Sequence, residues 1–142
     1  MAKIPVRLSI RSVQCYDDQE PDTIELITEG TLERQDKAWE IVYEETELTG
    51  MPGVTTVYRA GPGGVVLKRL GRLRSTMIFR EGHRHESLYQ MEFGAMMLGV
   101  TATKVCHDLT EQGGTADVVY DLDIEHTSGG HVEYHLDVKA MK

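Results

Sequence analysis

The sequence predicts an all-β chain folded as a single antiparallel, closed β-barrel of about 8–10 strands. Three observations lead there. Apolar and polar residues alternate with period two in segment after segment, the pattern of a strand with one buried face. Glycine-rich turns separate these segments at hairpin spacing. No ten-residue window favours an amphipathic helix over a strand, apart from a weak helical signal at Asp108 to Gln112. Inward apolar and outward polar residues on every strand suit an up-and-down barrel, and closure removes exposed edges. At 142 residues the whole span 1–142 reads as one β-barrel domain around one core.

The elements follow in order. Val6, Leu8 and Ile10 alternate with Arg7, Ser9 and Arg11, and the acidic run Asp17 to Asp22 breaks the pattern as a loop. Ile24, Leu26 and Leu32 mark the next strand, with Gly30 expected at a bulge or barrel bend. Trp39, Ile41 and Tyr43 alternate with polar neighbours up to a turn over Thr49 to Gly53. Val54 to Arg59 and Val65 to Leu70 flank the turn formers Gly61-Pro62-Gly63-Gly64. Met96, Leu98, Val100 and Ala102 share one face of a long strand, and Ala116 to Ile124 alternates strictly. A turn at Ser128-Gly129-Gly130 then leads to Val132, Tyr134, Leu136 and Val138.

Composition narrows the function. A net charge of −8 and a pI near 5.2 argue against nucleic acid, whose binding begins with phosphate neutralisation. A basic group at Lys68, Arg69, Arg72, Arg74, Arg80 and Arg84 reads as the solvated outside of hairpins, balanced by Glu81 and Glu86. Two cysteines, Cys15 and Cys106, give no disulfide framework and are expected to be reduced and packed as small hydrophobes. The N-terminus lacks an apolar signal-peptide core and no apolar run approaches a membrane span, so the expectation is a cytoplasmic protein without a membrane partner.

The run Val42-Tyr43-Glu44-Glu45, the Gly71 hairpin ending in Phe79, and Tyr89-x-Met91-x-Phe93-Gly94 occur in order. Thr101 to Lys104, Asp108-Leu109 and Val119-Tyr120-Asp121 follow. With these residues the chain resembles the YwiB-like family of uncharacterised bacterial proteins, over nearly its whole length from Val6 to Val138. The resemblance implies a calycin, or lipocalin-like, antiparallel barrel. It carries no established activity and no catalytic residue.

The densest polar segment lies in Gly71 to Gly94, where His83, Arg84, His85, Glu86, Ser87 and Tyr89 follow a Glu81-Gly82 turn. With a two-residue loop, Phe79 and Met77 would share a face with Arg84 and Glu86, burying charge. With a three-residue loop, Phe79, Met77, Ser75 and Leu73 share a face with His85, Ser87, Tyr89 and Met91. The second register is the expected one, with a left-handed glycine in the loop. It gives a barrel interior of Trp39, Tyr43, Glu45, Ser75, Met77, Phe79, His85, Ser87, Tyr89 and Tyr120 beside Leu73. Apolar walls with a few convergent polar groups are what a small-molecule site requires. The bland alternative is a closed core whose buried polar groups satisfy one another.

Catalytic arrangements are weakly drawn. His85, Ser87 and Glu45 offer a base, a nucleophile and an orienter, yet His85 and Ser87 stand about 6.6 Å apart in rise along one strand. A haem or metal role for His85 inside the barrel would rest on analogy alone. His131, Glu133 and His135 alternate on an outward face, with His126 nearby, as a surface candidate for a divalent ion. No catalytic residue and no required cofactor follow from the sequence. The reading is a non-enzymatic barrel holding a small, largely apolar molecule oriented by His85 and Tyr89. The alternative is a structural or interaction protein with a closed core, acting through its outer surface or as a homodimer. Val54, Thr56 and Tyr58, or Val65 and Leu67, are the candidate dimer patch. An enzyme of unknown reaction stands behind both.

Overall fold

Ten strands run antiparallel in one sheet in the computed structural model, which describes residues 3–15, 19–46 and 52–141, with the backbone alone at Ser128. The strands are β1 (Ile4–Cys15), β2 (Asp22–Gln35), β3 (Ala38–Glu44), β4 (Val54–Gly61), β5 (Gly64–Gly71), β6 (Ser75–Phe79), β7 (Arg84–Met91), β8 (Gly94–Thr110), β9 (Gly113–Ile124) and β10 (Thr127–Ala140). Successive strands pair with one another except β6 with β7, and β1 also pairs with β10, so the sheet order is β6-β5-β4-β3-β2-β1-β10-β9-β8-β7. The two outermost strands meet through an antiparallel bridge between Arg74, just before β6, and Gln90 of β7, and the turn after β6 bridges to β8 at Glu81 and Ala102. The sheet is a nearly closed barrel whose seam lies between β6 and β7.

Burial follows the period-two pattern. β1 reads buried at Val6, Leu8 and Ile10, β3 at Trp39, Ile41 and Tyr43, and β4 at Val54, Thr56, Tyr58 and Ala60. These inward residues merge into one core with Leu32, Val65, Phe79, Val100, Val118 and Leu136. Among the described residues no helix is long and apolar enough to cross a membrane, which says nothing of strands.

Several expectations change. Of the two roles expected for Gly30, the bulge is absent, since β2 runs continuously against both neighbours there. Its reason is close approach: a Cβ would strike the carbonyl of Val42 and sit 3.1 Å from Tyr43 Cβ. β8 stays extended through Thr110, with Leu109 buried, so the helical signal at Asp108–Gln112 resolves into strand and a two-residue turn. The last hairpin turns at Glu125-His126, both with positive φ, and the Ser128–Gly130 segment is an irregularity inside β10. Another register shift between Ala102 and Lys104 moves the buried phase of β8 from even residues to Val105, His107 and Leu109. Cys106 consequently faces out and is exposed rather than packed as a small hydrophobe, while Cys15 is half-buried; both are unpaired. The expected dimer patch is overturned: Val54, Thr56, Tyr58, Val65 and Leu67 are all at most 4% exposed. Their alternation does define a face, but that face is the inner one. The expected loop at residues 17–18 and turn at residues 49–51 lie outside the described residues.

Candidate functional site

In an up-and-down meander the turns alternate between the two ends of the barrel. One end carries the turns at Asp36-Lys37, Pro62-Gly63, Glu81-Gly82 and Glu111-Gln112. There the interior is filled by Val6, Leu8, Leu32, Trp39, Ala60, Val65, Ala102 and Leu136. Toward the other end, which carries the Glu92-Phe93 and Glu125-His126 turns, the inward side chains leave a cavity of about 520 Å³.

The cavity has two unlike flanks. Met77, Phe79, Tyr89, Met91, Met96, Leu98, Leu122 and Ile124 supply an apolar wall from β6 to β9. The facing wall, from β3 to β5, carries Tyr43, Glu45, Tyr58 and Arg69 and is joined by Tyr134 of β10. Tyr43 and Tyr134 share a hydrogen bond of 3.1 Å between their hydroxyls, and Tyr134 stacks on Tyr58 at 6.0 Å and 17°. The buried Thr56 hydroxyl donates to Glu45 Oε2, and Arg69 Nε lies 4.0 Å from that oxygen. The Glu45 and Arg69 side chains are 2% and 14% exposed, so this is an ion pair inside the barrel wall. Burial pushes the phenols of Tyr43, Tyr58 and Tyr134 well above the usual tyrosine range. All three are neutral, hydroxyl-bearing groups at any ordinary pH.

The expected interior residues divide along the barrel. Tyr43, Glu45, Met77, Phe79, Tyr89 and Tyr120 line the cavity, with Phe79 and Tyr120 in ring contact at 4.7 Å. Trp39 is buried at the filled end, with the Arg34 guanidinium 5.4 Å from its ring centroid, and does not reach the cavity. Ser75, His85 and Ser87 sit along the seam instead. The Arg74–Gln90 bridge is in the register that sets Arg80 opposite Arg84, so His85, Ser87 and Tyr89 alternate as half-buried residues between exposed Arg84, Glu86, Leu88 and Gln90. Gly82 takes the left-handed conformation, φ 78°, within a turn closed by His83 N–H donating to the Arg80 carbonyl at 3.0 Å.

Ser75 Oγ, Ser87 Oγ and His85 Nδ1 are buried without a hydrogen-bond partner among the described residues. His85 and Ser87 therefore do not bond each other, and Glu45 is engaged with Thr56 and Arg69. Base, nucleophile and orienter are not assembled. On the outer surface each histidine has its own carboxylate: His131 Nδ1 lies 2.8 Å from Asp121 and His135 Nδ1 2.6 Å from Asp117. Glu133 stands 3.8 Å from His131, and His126 lies 3.6 Å from Glu86. No three metal-ligating side chains converge among the described residues.

Arg69, Tyr58, Thr56 and Tyr134 are the site residues that sequence reasoning misses. The outer basic group is the wrong place for Arg69: Val65, Leu67 and Arg69 share one parity on β5, and two of them are buried aliphatics. That parity is present in the sequence, and an inward Glu45 calls for an inward cation. The other arginines do lie outside, Arg84 at 2.8 Å from Asp123 and Arg72 at 2.7 Å from Glu92. These pairs raise both guanidinium pKa values and lower that of Glu92, chiefly through the hydrogen bonds.

A family described as a domain of unknown function, DUF1934, matches residues 8–136. The chain belongs to that family. Its similarity to a curated relative is consistent: the uncharacterised β-barrel protein YwiB of Bacillus subtilis (strain 168) is 29% identical over 121 residues, 84% of this chain and 82% of YwiB. The crystal structure of ywiB protein from Bacillus subtilis superposes with a TM-score of 0.88 at 23% identity, covering 99% of this chain and 94% of that one. The likeness extends to the whole ten-stranded barrel. Neither the family nor the relative brings an assigned function.

Proposed function

We propose that this protein is a non-enzymatic barrel that holds a small, largely apolar molecule in its interior. The observation that carries the reading is the cavity of about 520 Å³ between an apolar wall and a tyrosine-rich one. A barrel filled by its own side chains would leave no such space, and ligand sites occupy about 300–1,000 Å³. An up-and-down meander around an interior cavity is also the arrangement of lipocalins, so the calycin likeness enters here as analogy at the level of fold. Two unpaired cysteines fit a reducing compartment, and we assign the protein to the cytoplasm on that basis.

Native mass spectrometry of protein purified from its own host tests the reading. A retained small molecule should be present in the wild type and lost in Leu98→Trp, which fills the cavity from β8. A wild-type mass equal to that of the bare chain, with no uptake of uncharged apolar dyes, would overturn it. The homodimer is a separate expectation, decided by light scattering at micromolar concentration.

A further inference from the structure

We infer that the cavity selects an uncharged amphipathic molecule whose carbonyl, ester or hydroxyl oxygen accepts from Arg69, while its apolar body lies against Met77, Met91 and Met96. This rests on the reading above that the cavity holds a ligand, and it specifies the chemistry of that ligand.

The polar flank has donors to spare. Arg69 Nε is buried and forms no hydrogen bond with any described residue; its ionic partner Glu45 stands at 4.0 Å, beyond hydrogen-bond distance. A guanidinium offers five N–H donors in a fixed fork, and a buried donor left unpaired is costly. The Tyr58 hydroxyl is a second such group: the side chain is 1% exposed, its ring lines the same cavity, and its oxygen has no partner among the described residues. The two stand diagonally on neighbouring strands, since Tyr58 faces Leu67 and Thr56 faces Arg69 across β4 and β5. Arg69 lines the cavity, and an acceptor oxygen carried in by a ligand meets the guanidinium fork there.

Charge narrows the choice. Glu45 already neutralises Arg69, so the flank has no net charge to offer. An anionic head group would be forced beside Glu45 and a cationic one beside Arg69, and either would carry an uncompensated charge into a low-dielectric interior. A neutral acceptor does neither. The apolar flank is permissive, because three methionines with flexible, polarizable side chains adapt to bodies of different shape.

The test uses the purified full-length chain and an uncharged solvatochromic dye, displaced by decanol, methyl decanoate, decanoate or decylamine. The uncharged pair should displace the dye at concentrations roughly ten-fold lower than the charged pair. An apolar cavity alone would share that preference, so variants decide. In the double variant Glu45→Gln/Arg69→Met, decanol and methyl decanoate should weaken roughly five-fold, the loss of about one hydrogen bond, while dye affinity holds. Arg69→Lys, which keeps the charge and loses the fork, should weaken them similarly and serves if the double variant fails to fold. Tyr58→Phe should weaken decanol without lowering the unfolding midpoint. Unchanged decanol affinity in these variants, or a charged probe binding best, overturns the inference and leaves the cavity reading standing. A wild-type protein that takes up neither dye nor probe overturns both.

Discussion

Replacing Arg69 by methionine isolates the internal ion pair. Arg69 and Glu45 are 14% and 2% exposed and 4.0 Å apart. At that separation the Coulomb attraction is about 4 kcal/mol for an effective dielectric constant near 20. Removing one member of a buried pair typically costs about 3–5 kcal/mol, because the other charge is left without compensation. Two features reduce the figure here: Glu45 keeps the Thr56 hydroxyl as a donor, and the partly exposed arginine is screened by solvent. The expected loss for Arg69→Met is about 2–3 kcal/mol. The double variant Glu45→Gln/Arg69→Met removes both charges and should be more stable than the single variant, because no lone charge is left buried. Urea unfolding followed by circular dichroism measures both, and with a slope of ~2 kcal/mol per molar the single variant shifts the midpoint by about 1–1.5 M. A single variant costing under about 0.5 kcal/mol, the range of exposed positions, would refute the buried pair. So would a double variant that loses the sum of the two singles.

Four further outcomes are expected. Tyr58→Phe should leave stability unchanged or raise it by up to about 1 kcal/mol, because the hydroxyl it removes is buried and unpartnered, whereas Tyr43→Phe breaks the bond to Tyr134 and should cost about 1 kcal/mol; thermal melts that rank the two in the opposite order contradict the assignment. Folding holds the protons of Tyr43, Tyr58 and Tyr134, whose pKa values burial raises, so their contribution is complete below about pH 10, the unfolded value, and declines at higher pH as the unfolded chain ionises. Phenolate absorbance should show these three titrating together with loss of the β-sheet spectrum, and their ionisation in an intact barrel would contradict it. Gly114→Ala, at φ 142° with a Cβ driven into the Asp108 carbonyl, should cost about 3 kcal/mol, against about 1 kcal/mol for Gly82→Ala, where φ is 78° and the space is open; equal chemical-denaturation midpoints would remove the steric argument. Cys106, exposed, should react with a thiol reagent in the native protein, and Cys15, half-buried, more slowly; a pair inert after denaturation without reductant would mean that the thiols are not free.

Alternation is a local property, which is why the strands are legible in the order of residues alone. Val6-Leu8-Ile10 and Ala116 to Ile124 each declare their faces through residues two apart, and the barrel class follows from repeating that message between glycine turns. The register at Glu81-Gly82 is accessible in the same way, because only one choice keeps Arg84 and Glu86 out of the interior. At Val65, Leu67 and Arg69 the pattern defines a shared face; that this face turns inward, bringing Arg69 beside Glu45, depends on the closure of a ten-stranded sheet. The phase change at Ala102–Lys104 is invisible for a related reason: a single unpaired residue on β8 is defined only by the strand that runs alongside it.

The chain by itself determined the strands and most of the inward residues, since each rests on the chemistry of near neighbours. Tertiary structure alone decided that Trp39 and Ala60 meet at a filled end while Tyr43, Tyr58 and Met96 face one another across space. It also decided that the sheet closes through isolated bridges at Arg74–Gln90 and Glu81–Ala102 rather than a β6–β7 ladder, leaving Ser75, His85 and Ser87 along a seam. The reason is geometric: strand number and stagger set the radius of a barrel, and whether opposing side chains touch depends on that radius rather than on any residue's place in the sequence.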